Sequence, residues 1–314
     1  MVGSTGTIGQ ATVRALLARG HEVASLVRPQ TDRAQLIPGP EYRVGDVTSP
    51  SSLRDDGFQG ERFDAVVSCM ASRTGVPKDA WAIDHKAHCN LLDGAQTAGV
   101  SHFLLLSAIC VQKPQLAFQY AKLAFEEALT SSGLDYSIVR PTAFFKSLSG
   151  QVDRVRNGKA FLTFGDGQGT ACKPISDEDL AQFMADCLVD PMRRNRILPI
   201  GGPGPALTPH DQGNEIFALT GRPPKFSPVP LALFDVIAGA LGALGTFIPP
   251  LKEKAELARI GRYYASESML VFDKTTNTYS ETKTPSFGSR TLADHYADLI
   301  NKGGDANLGS HKVF

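Results

Sequence analysis

Gly3-Ser4-Thr5-Gly6-Thr7-Ile8-Gly9 places three glycines at a regular spacing just ahead of a helical pattern. Glycines at such a junction permit a tight turn and let backbone N–H groups approach an anion where the helix dipole favours negative charge. The chemistry indicated is the binding of a pyrophosphate, with Gly3, Ser4, Thr5, Gly6, Thr7 and Ile8 as its cradle. A glycine triplet alone is weak evidence. Here an amphipathic stretch follows (Gly9 to Arg19, with Val13, Leu16 and Leu17 on one face), then a stop at Gly20, then an apolar run, His21 to Val27, that ends on Arg28.

The residue closing the second strand of such a unit reads the adenosine ribose. A carboxylate there favours NAD, and a cation favours the 2'-phosphate of NADP. That position is Arg28, whose guanidinium can grip a phosphate with two hydrogen bonds; the alternative is a solvated loop arginine. Asp46 and Val47 follow a third strand, where Asp46 could accept from the adenine amino group or serve a turn.

Ser107 ends a fourth strand and Lys122 opens the next helix, which resembles the short-chain dehydrogenase/reductase superfamily with its Ser and Tyr-x-x-x-Lys site. In FQYAK the tyrosine position is Phe118, which has no hydroxyl to donate. Tyr120 is a poor substitute, since residues two apart on a helix point in different directions. Carbonyl reduction by the usual route is therefore not expected.

The runs from Ser107 to Leu129, Tyr136 to Val152, Phe164 to Gly167, Ala171 to Ala181, Leu198 to Pro209, Ile260 to Asp273 and Lys283 to Gly288 resemble the divinyl chlorophyllide a 8-vinyl-reductase family, and Phe118 is in keeping with it. The resemblance implies an NADPH-dependent atypical short-chain reductase that converts the 8-vinyl group of divinyl chlorophyllide, or protochlorophyllide, to ethyl. It implies a tetrapyrrole substrate, and a chloroplast location or the cytoplasm of a photosynthetic bacterium. A vinyl group conjugated to a macrocycle passes charge into the ring, so no oxyanion needs a donor. Lys122 is then the candidate to orient the nicotinamide ribose, beside Ser107, Pro141 and Thr142, with Phe118, Phe144 and Phe145 toward the substrate. Lys173 and Arg262 are candidates for its propionate, or members of structural ion pairs.

Two other readings are a non-catalytic NADP-binding sensor or assembly protein of the same fold, and a reductase for another apolar substrate such as a quinone. The 32 Lys and Arg balance 32 Asp and Glu, so the basic excess of a nucleic-acid binder is missing. The five cysteines form no CxxC pair and are expected to be inert, and no metal site is expected. His85, His88 and His102 are expected at the surface or in capping roles.

These residues must be positioned by alternating strands and helices from Gly3 to about Arg140, which implies an α/β Rossmann fold with a doubly wound parallel sheet. The nucleotide domain is expected over residues 1–150 and a smaller substrate lobe, with segments returning to the core, over 151–314. Strands are expected at His21 to Val27, Ala65 to Ser68, His102 to Ser107 and Tyr136 to Val139. Only Met1 and Val2 precede the glycine loop, so the first strand is expected to be truncated and no transit peptide is present. Leu231 to Ile248 is the most apolar run; it carries Asp235 and is expected to be a buried helix under the lobe, with a helix lining an apolar pocket or touching a membrane surface as the alternatives.

Overall fold

A computed structural model describes residues 1–302, so residues 303–314 at the end of the expected lobe lie outside the described residues. The backbone divides into two compact units. One comprises Met1–Pro141 with Asp177–Pro199, and the other Thr142–Ser176 with the residues from Ile200 on. Where the sequence suggests a boundary near residue 150, the chain leaves the first unit at Pro141.

The first unit holds strands β1 (Ala24–Val27), β2 (Glu41–Val44), β3 (Ala65–Ser68), β4 (His102–Leu106) and β5 (Asp135–Pro141). After β6 (Phe161–Phe164) in the second unit, β7 (Arg196–Ile200) completes the order β3-β4-β5-β7. β1 pairs in parallel with β2, and β4 in parallel with both β3 and β5. Val2 forms parallel bridges to Leu26 of β1 and Ser68 of β3, occupying the place of a first strand between them. The parallel Rossmann sheet is thus present. β3 and β4 are buried almost throughout, as continuous apolar runs covered on both faces should be. Their core includes Val66, Leu91, Phe103, Leu105, Phe125, Leu129 and Ile138.

The first helix spans Thr7–Ala18 and buries Ile8, Ala11, Thr12, Val13, Ala15 and Leu16. It packs against the helix Asp177–Val189. Thr12 lies 3.8 Å from Met184 Sδ, and Arg19 pairs with Asp186 at 2.5 Å. Three acidic residues, Asp177, Glu178 and Asp179, occupy that helix's first turn, where the macrodipole favours them. The helix bearing Lys122 runs over Ala117–Thr130, beginning earlier than the sequence suggests. Gln119 sets that start, because its Oε1 accepts from the backbone N–H groups of Gln115 and Leu116 at 2.7 and 2.9 Å.

In the second unit β6 pairs in parallel with β8 (Phe226–Val229), and β9 (Val271–Asp273) forms an antiparallel hairpin with β10 (Thr278–Ser280). Its core gathers Phe145, Val152, Val155, Phe161, Ile216, Phe217, Leu292 and Tyr296. The apolar run forms a helix, Ala232–Leu244, packed against the helix Pro249–Ser266. The expectation that it is buried is corrected, because only Phe234 and Ala238 of that helix are buried. Leu233, Val236, Ile237, Leu244 and, at the turn, Phe247 are exposed. Among the described residues no helix is long and apolar enough to cross a membrane.

Candidate functional site

The glycine loop sits where β3 ends. Gly3 has φ +76°, and a Cβ there would fall 2.5 Å from the carbonyl carbon of Cys69. A Cβ on Gly9 would come within 1.9 Å of the Gly3 oxygen. Both glycines are therefore required by the protein itself, one by handedness and one by close helix-to-loop contact. Gly6 differs. A Cβ there would meet only the Gly3 oxygen at 3.6 Å, an ordinary contact, so the protein does not demand glycine at this helix N-cap. Space kept open at a helix N-terminus suits close approach of a pyrophosphate. Ser4 adds a second sign, since its Oγ is buried without a hydrogen-bond partner, and buried hydroxyls are seldom left so. The loop therefore fits a dinucleotide.

Arg28 is exposed just beyond β1. Asp46 is exposed, and its Oδ1 accepts from the N–H and hydroxyl of Thr48 at 2.8 and 2.7 Å, the turn role anticipated as its alternative. Val47 packs on the sheet core.

Ser107 directly follows β4, buried, and its Oγ donates to Glu126 Oε1 at 2.5 Å. Glu126 is itself buried and paired with Arg140 of β5. Sequence reading missed this trio. Glu126 and Arg140 each fall in an ordinary helix or strand pattern, and nothing in their spacing marks them as partners.

Lys122 is paired with Asp84, its Nζ donating to Oδ1 at 2.9 Å. Asp84 is buried and also accepts from Ser72, from the hydroxyl at 2.5 Å and the backbone N–H at 3.2 Å. Desolvation by burial pushes this carboxyl up, but the lysine ammonium and the Ser72 hydroxyl outweigh it and hold the group below its ordinary range. Asp84 and Ser72 were also missed. Phe118 shares the Lys122 face of the helix and is 8% exposed. Tyr120 is exposed and donates its hydroxyl to the Pro114 carbonyl at 3.1 Å, away from that face.

The histidines need correction. His88 and His102 are buried rather than superficial. His88 Nδ1 donates to the Ile83 carbonyl at 2.8 Å, so Nε2 accepts from Ser68 Oγ at 2.9 Å, and burial drives its pKa down to about 4. His102 Nε2 lies 3.0 Å from Ser137 Oγ. Among the described residues no cluster of His, Cys, Asp and Glu is arranged to hold a metal ion. Burial raises the thiols of Cys69, Cys172 and Cys187 to about 12, which leaves them unreactive. A cavity in the first unit lined by Met1, Leu26, Arg43, Leu53, Phe58 and Phe63 includes none of the expected site residues.

Pro141 is buried at the end of β5. In the second unit Thr142 donates its hydroxyl to the Lys173 carbonyl and its N–H to Ile200 O. Phe144 is half-buried and its backbone bridges to Ile175. Phe145 is 3% exposed within the core, its ring 5.4 Å from that of His295, so a ligand could reach it only by repacking that core. Lys173 is buried, while Arg262 pairs with Asp235 at 3.4 Å, the structural alternative considered for it.

The sequence of residues 3–191 matches the model of an NAD(P)H-binding family. Across all of the chain the identity to "Divinyl chlorophyllide a 8-vinyl-reductase, chloroplastic" of Zea mays is 47% over 330 residues, covering 100% of this chain and 82% of the relative. The chain belongs to the divinyl chlorophyllide a 8-vinyl-reductase family. The resemblance read from the sequence runs is thereby borne out. "Photosystem II assembly factor Ycf39" of Cyanophora paradoxa is a more distant relative, 28% identical over 75% of this chain and 73% of its own. Among solved structures, an NADPH-dependent quinone oxidoreductase, QOR2, from Escherichia coli, complexed with NADPH, superposes with a TM-score of 0.68 at 17% identity, covering 96% of this chain and 99% of that one. That likeness carries the fold. As a member of the vinyl-reductase family, the chain carries the parallel sheet of a Rossmann fold.

Proposed function

We propose that this protein uses NADPH to reduce the 8-vinyl group of divinyl chlorophyllide, or its protochlorophyllide counterpart, to ethyl in chlorophyll biosynthesis. The observation that carries the reading is 47% identity to the plant vinyl reductase across the whole chain. The absence of a tyrosine hydroxyl at Phe118 supports it, because this reduction develops no oxyanion.

When bound, NADPH supplies a hydride to the vinyl group, and a proton completes the ethyl. Gly3, Ser4, Thr5, Gly6, Thr7 and Ile8 hold the pyrophosphate, and Arg28 selects the 2'-phosphate, with Asp46 and Val47 beside the adenosine. Ser107, Lys122 and Pro141 of the first unit hold the nicotinamide half, Lys122 through the ribose hydroxyls. Phe118 offers apolar surface to the planar pigment. The second unit serves as the substrate lobe. A chloroplast location is supported by the names of four plant relatives, each described as chloroplastic. Peripheral association with a lipid surface is supported by the exposed stripe of Leu233, Val236, Ile237, Leu244 and Phe247, which recurs at helical spacing and carries no charge.

The test is incubation of the protein with NADPH and 3,8-divinyl chlorophyllide while following the pigment's Soret band. A shift to the monovinyl spectrum with matching NADPH oxidation is expected. NADPH binding with an unchanged pigment would instead favour the sensor or assembly reading, to which the Ycf39 relatives lend their name.

A further inference from the structure

The buried ion pair beside Phe118 has a construction that the reduction itself does not explain. Asp84 is 1% exposed, and a carboxylate there is tolerated only if paired and hydrogen-bonded. Such a pair adds little net stability, because desolvation of both charges offsets their attraction; its distinctive effect is on orientation. The carboxylate is held from two sides. Ser72, in the loop after β3, donates its hydroxyl to Oδ2 and its N–H to Oδ1, while Lys122 donates to Oδ1. That loop lies beyond the carboxyl end of a central strand, the end at which open α/β sheets bind their ligands. His88, one helical turn after Asp84, is committed to the Ile83 carbonyl and Ser68, and is neutral at ordinary pH, so it does not compete with Lys122 for the carboxylate.

We propose that Asp84, clamped by Ser72, is the positioning residue for Lys122. This rests on the reading that Lys122 binds the nicotinamide ribose. An ammonium has three donors on a freely rotating head. Spending one on Asp84 at 2.9 Å fixes the directions of the other two, which then meet the ribose hydroxyls without first losing rotational freedom. The side chain is 12% exposed, so few other orientations are open to it.

The test compares Asp84→Asn, Asp84→Glu, Ser72→Ala, Lys122→Met and the Asp84→Asn/Lys122→Met double variant, each as the full chain. NADPH Kd is read by fluorescence, and KM and kcat with divinyl chlorophyllide. Asp84→Asn should raise the NADPH Kd roughly 10- to 100-fold, the scale of one charged hydrogen bond, and leave pigment affinity unchanged. Ser72→Ala keeps the ion pair and should give a smaller shift in the same direction, while Asp84→Glu should recover part of the loss. On the Lys122→Met background Asp84→Asn should add nothing, since both remove one interaction. If Lys122→Met weakens NADPH binding but Asp84→Asn and Ser72→Ala do not, the lysine's role stands and the positioning role falls. Equal effects of Asp84→Asn with and without Lys122 would also overturn it, by showing that Asp84 acts through the fold. Normal NADPH binding and turnover in Lys122→Met would remove the lysine and this inference together.

Discussion

Gly6 and Gly9 have the same residue type and opposite reasons for it, which makes a paired substitution informative. In Gly9→Ala the new methyl would sit 1.9 Å from the Gly3 oxygen, so loop and helix must separate. Overpacking of this kind costs about 1–3 kcal/mol or more, against a gain of about 1 kcal/mol in helix propensity. The steric term wins, because the obstacle is backbone that cannot swing aside. At about 2–4 °C per kcal/mol, Tm should fall by several degrees without ligand. In Gly6→Ala the methyl meets nothing closer than 3.6 Å, and the backbone at φ −75°, ψ 166° accepts alanine. Unliganded Tm should therefore stay within about 4 °C, because loss of a glycine N-cap costs at most about 1 kcal/mol. The effect should appear in binding. NADPH at 100 times its wild-type Kd adds about 2.7 kcal/mol; if the methyl weakens binding 100-fold, that falls to about 0.4 kcal/mol and the ligand-induced rise in Tm nearly vanishes. Differential scanning fluorimetry with and without NADPH reads both quantities. A Gly9→Ala protein with wild-type Tm would refute the steric reasoning, and a Gly6→Ala protein with its full NADPH shift would refute the pyrophosphate reasoning.

Arg28→Ala should raise KM for NADPH by roughly 10- to 100-fold while leaving NADH use little changed, since a charged hydrogen bond to the 2'-phosphate is what is lost; equal losses with both nucleotides would count against the assignment. His88 sits at about 4 when folded against 6.5 unfolded, so the unfolded chain binds the extra proton between those values. Stability contributed by the neutral ring is full above pH 6.5 and is lost as pH falls toward 4, by up to about 3 kcal/mol. Urea midpoints for wild type and His88→Gln should converge over that window, and parallel pH profiles would show that the ring is not the titrating group. Phe247→Glu with Leu244→Glu should reduce co-sedimentation with anionic lipid vesicles and leave NADPH affinity intact; undiminished sedimentation would clear the exposed helix of that role.

What could be read from the chain alone was local. The glycine loop, Arg28 and the helix bearing Lys122 lie within short stretches whose spacing states their geometry. Asp84 and Glu126 could not be recognised this way, since each acquires meaning only from a partner brought in by the sheet order, Lys122 in one case and Ser107 with Arg140 in the other. His88 and His102 were expected near the surface because a single histidine carries no periodicity, and their burial is satisfied by serines on β3 and β5. The apolar run over Leu231 to Ile248 misled for a different reason. Composition says that a helix would prefer to leave water, not that this fold covers it, and Ala232–Leu244 keeps its outer stripe exposed.

The bond from Ser107 to Glu126 fixes which way that hydroxyl can serve a bound molecule. Its single proton is spent on the carboxylate, so toward anything placed against it Ser107 offers only lone pairs. It can receive an N–H, such as that of a carboxamide, but cannot polarise a carbonyl. With phenylalanine at position 118, the two hydroxyl donors on which ketone chemistry depends are lost by separate routes, one through replacement and one through prior engagement. Restoring a tyrosine at 118 would therefore not by itself recreate a ketone reductase, because the proton of Ser107 would still be held by Glu126.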